Sequence, residues 1–137
     1  MLNYNEMGIL MGLFALMLIF LVQKKVKGKF LKTIWKCSLL FFILYTSILI
    51  FVEIRWYFIS EHAKSFDLNQ NGFVDLDEYN EEAINALNRV TQDTAKNFAF
   101  ITVGMLSLAV SFSFLLVEFL MARFKIKKIQ SDAQSPS

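Results

Sequence analysis

Residues 67–78 read Asp-Leu-Asn-Gln-Asn-Gly-Phe-Val-Asp-Leu-Asp-Glu, with oxygen-bearing side chains at Asp67, Asn69, Asn71, Asp75 and Glu78. Such a donor set suits a hard cation: calcium takes its oxygens from carboxylates, amides and backbone carbonyls, whereas zinc is held by histidine and cysteine. Gly72 sits among these donors, where a tight turn calls for a positive φ that a residue without Cβ adopts most easily. Elsewhere the chain offers no competing chemistry. His62 is the only histidine and Cys37 the only cysteine, so bis-histidine haem ligation, an internal disulfide and a zinc cluster within one chain are all excluded. There is no glycine-rich phosphate loop and no local motif for Ser/His/Asp chemistry. The expectation is a protein that is not an enzyme.

This segment resembles the EF-hand family, whose loop binds calcium through positions 1, 3, 5, 7, 9 and 12. The likeness covers roughly residues 58–90 and extends to Phe66 before the loop and Tyr79 after it. Carried over residue by residue, the resemblance makes Asp67, Asn69 and Asn71 side-chain ligands and gives Phe73 a backbone-carbonyl role. It lets Asp75 act directly or through water, makes Glu78 the bidentate closing ligand, and puts Gly72 at the sharp turn. Val74 falls on the apolar position at which an EF-hand makes a short strand with a neighbour. Dockerin-type calcium loops are similar, but they usually close with Asp and lack an entering helix. Glu78 and the uninterrupted stretch before Phe66 favour the EF-hand. Only Asp67, Asp75 and Glu78 bring charge, which implies weak calcium binding, on the order of 10⁻⁴–10⁻³ M as in extracellular modules. EF-hands generally work in pairs, so the resemblance also implies a partner: a second copy of this chain or another membrane protein that completes the pairing.

The loop lies between strongly apolar segments. Of the 137 residues, 55% are hydrophobic, too many for an ordinary small soluble domain. Apolar runs at 7–22, 34–57 and 98–121 reach the roughly 20 residues that cross a bilayer, the first only with its flanks. The predicted fold is all-α, with three transmembrane helices and one extracytoplasmic EF-hand between the second and third. Residues 1–23 form the first transmembrane helix, 24–33 a basic cytoplasmic loop and 34–57 the second helix. Residues 58–96 form the calcium-loop segment, 97–122 the third helix, and 123–137 a basic tail that becomes disordered in its polar last residues.

Charge sets the expected orientation. Lys24, Lys25, Lys27, Lys29, Lys32 and Lys36 cluster around the first connection, and Arg123, Lys125, Lys127 and Lys128 follow the third run, while the N-terminus and the loop segment are acidic or nearly free of basic residues. The net charge of +2 conceals this asymmetry. The positive-inside rule places both basic segments and the C-terminus in the cytoplasm, with the N-terminus and the loop on the periplasmic or extracellular side of the cell membrane. The acidic start and the lysines after the first run fit an anchor with its N-terminus outside better than a cleaved leader. Membrane lipids are the expected contact of the basic patches. No nucleic-acid partner is expected.

The second span runs into the loop without Gly or Pro, and the exiting helix is expected from near Leu76, with Tyr79, Ala83, Leu87 and Val90 at helical spacing. A bend or break is expected at 91–97, where Asp93, Thr94 or Asn97 can cap the last span. Within the membrane, Gly8 and Gly12 form a GxxxG pattern, and Gly104, Ser107 and Ser111 form a comparable stripe of small residues. Both are read as packing surfaces. Glu53 and Arg55, two residues apart, do not share a helix face. Glu118 is expected to pair with Lys36 or Lys32. The leading functional expectation is a calcium sensor or regulatory subunit that couples external calcium to helix packing. The alternatives are a calcium-regulated homo-oligomeric channel and a structural accessory subunit whose loop calcium braces. Cysteines introduced by Gln70→Cys and Gln130→Cys, with Cys37 replaced, are expected to label from opposite sides of the membrane in intact cells; labelling from the same side would overturn the orientation.

Overall fold

The computed structural model describes residues 3–133, the side chains of 94, 95 and 126–133 excepted. Four α-helices follow one another: α1 (Tyr4–Val22), α2 (Lys29–Lys64), α3 (Glu81–Gln92) and α4 (Thr94–Ala133). Single 3₁₀ turns lie at Gln23–Lys25 and Leu76–Glu78, and no strand occurs among the described residues. Three helices, α1, α2 and α4, are long and apolar enough to cross a membrane, as a multi-pass membrane protein requires. The lysine-bearing segment 29–33, expected in a loop, instead forms the first turn of α2. Residues 130–133, expected in the disordered tail, continue α4. An established helix propagates through polar residues at one bond per residue, so composition alone misplaced both ends. The remainder of the predicted disordered tail, 134–137, lies outside the described residues.

Local chemistry explains the helix ends. Asn3 Oδ1 accepts from the Glu6 amide at 2.8 Å while Glu6 Oε2 accepts from the Asn3 amide at 2.9 Å, a reciprocal capping box that starts α1. After α1 the chain tightens into the lysine-bearing 3₁₀ turn, and Gly28 takes φ 94° to reverse its direction. That short connection makes α1 and α2 antiparallel neighbours. Trp35 in α2 fixes the hairpin by donating its Nε1–H to the Ile19 carbonyl at 2.9 Å.

The bundle is held by close packing. Lipid tails are as apolar as leucine, so burial from water adds little between spans, and small residues that let backbones approach matter most. Gly8 and Gly12 turn towards α2. A Cβ at Gly8 would lie 2.7 Å from the Tyr45 hydroxyl, 2.8 Å from Leu49 Cδ1 and 2.9 Å from Phe100 Cδ2, and one at Gly12 would collide with Thr46 Oγ1. Tyr45, Leu49, Ala99 and Val103 form the buried core, with Ile9, Ile48, Val52 and Phe100 packed around them. Ser107 and Ser111 also face inward. The GxxxG pattern and the small stripe of α4 thus face neighbouring helices of the same chain. Large apolar side chains such as Leu10, Phe14, Phe51, Met105 and Phe112 point outward, where lipid would cover them.

Gly12→Leu is expected to destabilise the bundle by about 1–3 kcal/mol, since the space beside Thr46 cannot take a larger residue. Thermal unfolding in detergent micelles would show a clear loss for Gly12→Leu and little change for Leu10→Ala on the outward face.

Candidate metal site

The loop lies at the end of α2 opposite the lysine-rich connection. α2 passes through residues 57 and 58 without interruption and ends at Lys64, with the Ser65 amide bonded to the Glu61 carbonyl at 3.1 Å. A helix of 36 residues is about 54 Å long, well beyond the roughly 30 Å hydrocarbon core of a bilayer. The helix that crosses the membrane and the helix that enters the loop are thus one rod.

From Phe66 the backbone winds around its own side chains. Asp67 accepts from the amides of Asn71 at 3.2 Å and Gly72 at 2.8 Å. Asn69 Oδ1 accepts from the Asn71 amide at 2.9 Å, and Asn71 Oδ1 from the Phe73 amide at 2.8 Å. Gln70 and Gly72 take φ values of 57° and 93°, and that pair of left-handed residues makes the turn sharp. Gly72 occupies the conformation its place in the sequence implied. Glu78 closes the ring: its Oε1 accepts from Leu68 at 2.9 Å and Asn69 at 3.0 Å, while Oε2 accepts from the Asp75 amide at 3.0 Å. Asp75 Oδ2 in turn accepts from the side-chain amides of Asn69 at 3.1 Å and Asn71 at 2.6 Å.

Asp67, Asn69, Asn71, Asp75 and Glu78 are thus gathered in one hydrogen-bonded loop, with exposed Phe73 on its rim. The chemistry of the donor set fits calcium: carboxylate and amide oxygens predominate, and Glu78 folds back from the far end of the turn to its beginning. No three His, Cys, Asp or Glu side chains among the described residues stand close enough to hold a metal by themselves. A complete shell would therefore need the amide oxygens of Asn69 and Asn71 and the Phe73 carbonyl in addition to the carboxylates. Val74 makes no strand.

The exit from the loop differs from the expectation. Leu76–Glu78 is a 3₁₀ turn, Tyr79 is extended at φ −72° and ψ 122°, and α3 begins only at Glu81. The physical reason is a second helix start: Asn80 accepts from the Ala83 amide at 2.7 Å and caps α3, while Glu78 reaches back to Asp75 as in a capping box. Tyr79 is consequently off the α3 stripe. Ala83 and Ala86 are the buried residues of α3, which packs against α2.

The break expected at 91–97 falls at Asp93, where φ −75° and ψ 69° separate α3 from α4. This junction is tied to the other helices by contacts that no local pattern announced. Arg55 donates to Asp93 Oδ2 at 2.9 Å, with the Asp93 side chain only 6% exposed. Asn5 donates to both Glu53 Oε1 at 3.0 Å and the Lys96 carbonyl at 2.9 Å, and Asn3 reaches Glu53 Oε1 at 3.4 Å. The Lys96 ammonium stands 4.1 Å from the centre of the Trp56 ring. Residues 3–5, 53–56 and 93–96 thus form one polar belt joining α1, α2 and the α3–α4 junction. Glu53 and Arg55 do diverge, as their spacing required: Glu53 faces α1 and Arg55 faces the junction. At the opposite end, Lys36 pairs with Glu118 at 3.6 Å.

Comparison with protein-family models, curated proteins and solved structures finds no match to this chain.

Arg55→Gln is expected to loosen the junction by roughly 1–2 kcal/mol, because it leaves the buried Asp93 carboxylate without its cation while half-exposed Arg55 loses less. Hydrogen exchange of the 91–97 amides should rise in Arg55→Gln and largely recover in Arg55→Lys; unchanged exchange would show that the pair does not hold the junction.

Proposed function

We propose that this chain is a calcium-binding membrane protein in which residues 67–78 act as a single EF-hand and report external calcium to the transmembrane bundle. Asp67, Asn69, Asn71, Phe73 through its carbonyl, Asp75 and Glu78 would hold the ion. The observation that carries the reading is the continuity of α2 from the membrane-spanning region to Lys64, three residues before Asp67. Movement of the loop relative to α2 has to be taken up on the other side, by α3 and its junction with α4. That junction is broken at Asp93 and clipped to α2 by Arg55, so the loop connects to a rigid rod on one side and a hinge on the other. In sensor EF-hands calcium changes the angle between the flanking helices; here such a change would move α3 about Asp93. The orientation proposed is the one the lysines suggest, with the loop outside and the basic end in the cytoplasm.

Magnitudes define the role. A site in the 10⁻⁴–10⁻³ M range, at calcium between one and ten times its dissociation constant, supplies about 0.4–1.4 kcal/mol. Inverting a strongly biased two-state equilibrium takes about 5.5 kcal/mol. One chain tilts a balance, and a full switch calls for several coupled copies or a partner subunit. That favours a regulatory subunit over a self-sufficient switch. The inward direction of Gly104, Ser107 and Ser111 supports packing in preference to lining a pore shared between chains.

Trp56 lies beside Arg55 and under Lys96, so it reports on the hinge. In a Trp35→Phe background, millimolar calcium is expected to change Trp56 emission, and Glu78→Gln should remove both that change and most of the binding heat seen by calorimetry. Binding without any Trp56 response would assign calcium a bracing role; no binding at 10 mM, about ten times the weakest affinity expected, would remove the calcium reading altogether.

A further inference from the structure

A second site lies at the lysine-rich end of the bundle, far along α2 from the loop. There α2 and α4 separate to leave a cavity of about 670 Å³. Lys29, Lys32 and Lys36 all border it. Their spacing of three and four residues sets them on one face of α2. The acidic group on the opposite wall is Glu118, already engaged by Lys36 at 3.6 Å. Lys29 and Lys32 therefore remain as cations at the mouth. Below them the walls are apolar, with Ile34 from α2 and Leu116 and Phe119 from α4. The first turn of α2 adds to the positive potential: Gly28 at its N-cap offers no side-chain cap, which leaves amide hydrogens and the positive end of the helix dipole at the same mouth.

A cleft that is cationic at its mouth and apolar along its depth matches a molecule with an anionic head and a hydrocarbon chain. The geometry points to a binding site for one anionic phospholipid, its phosphate at Lys29 and Lys32 and one acyl chain lying along Ile34, Leu116 and Phe119. Charge complementarity selects the head, and the position of the cleft at the end of two membrane-crossing helices supplies the chain from the surrounding leaflet. Free phosphate would meet the lysines but leave the apolar wall unused. A zwitterionic lipid would fill the wall but bring its own cation to the lysines. The site is independent of the calcium loop, sharing only α2 with it.

The test uses the purified full-length chain in mild detergent, titrated separately with phosphatidylglycerol, phosphatidylcholine and inorganic phosphate and read by native mass spectrometry. Wild type is expected to bind one phosphatidylglycerol about tenfold or more tightly than phosphatidylcholine, given roughly fivefold for each lysine near an anionic lipid. The double variant K29Q/K32Q should lose that preference, while K24Q/K25Q, with the same charge change outside the cleft, should keep it within about twofold. Leu116→Ser should also weaken phosphatidylglycerol without altering net charge, which keeps the test decisive if K29Q/K32Q does not fold. Equal binding of the two lipids, equal losses in the two lysine variants, or inorganic phosphate binding as tightly as phosphatidylglycerol would each overturn the assignment.

Discussion

α2 is longer than a bilayer is thick, and most of the architecture follows from that one constraint. A helix of 36 residues without Gly or Pro in its interior cannot bend sharply where it leaves the hydrocarbon, because no freed carbonyl or missing amide gives it a place to do so. The residues at its far end, up to Lys64, are carried rigidly by the same rod that packs Tyr45 and Leu49 in the membrane core. α1 and α4 are fitted against this rod, and α3 leans on its projecting end. On the return path the helix is interrupted twice, at Tyr79–Asn80 before α3 and at Asp93 between α3 and α4.

Two kinds of packing serve this rod. In its middle, Gly8 and Gly12 permit a backbone approach that only small residues allow, and dispersion between close surfaces does the work that water exclusion does in soluble proteins. At the loop end, polar side chains take over. Asn5 bridges Glu53 and the Lys96 carbonyl, and Arg55 holds Asp93. These contacts sit beyond the uncharged stretch 37–52 of α2; the Asn5 side-chain NH₂ is doubly engaged, while its Oδ1 is buried without a partner. They bring together three pieces of chain widely separated in sequence, and thereby relate α3 to α1 through α2.

The two ends of the molecule also differ in electrostatic kind. The loop end gathers carboxylates and amide oxygens on an exposed turn. The other end gathers ammonium groups around an apolar cleft. α2 contributes to both: its C-terminus feeds the acidic turn and its N-terminus, with the positive end of its dipole, faces the basic cleft.

Much of the fold was legible because the controlling interactions are local or periodic. Three apolar stretches, a turn marked by Gly72, the alternating oxygen donors from Asp67 to Glu78, and the small residues at 8 and 12 all carry their meaning within a few positions. The break near Asp93 was legible for the same reason. Where local reasoning failed, cooperativity intervened: α2 starts earlier than its apolar run, and α4 runs on into polar sequence. Tyr79 was placed on a helix that begins only after Asn80, since two overlapping start signals, at Asp75 and Asn80, compete and the second one wins. The Asn3 and Asn5 contacts were not legible at all; a short Asn-Tyr-Asn-Glu start signals a helix cap but not which helix lies opposite. By itself the sequence determined which segments are helical and apolar and which loop residues carry side-chain oxygens, because those properties belong to composition and spacing. Only the tertiary structure decided that Arg55 meets Asp93, that Glu53 meets Asn5 and that three lysines share a cleft with α4, because pairings across helices depend on register and rotation set by packing along their whole length.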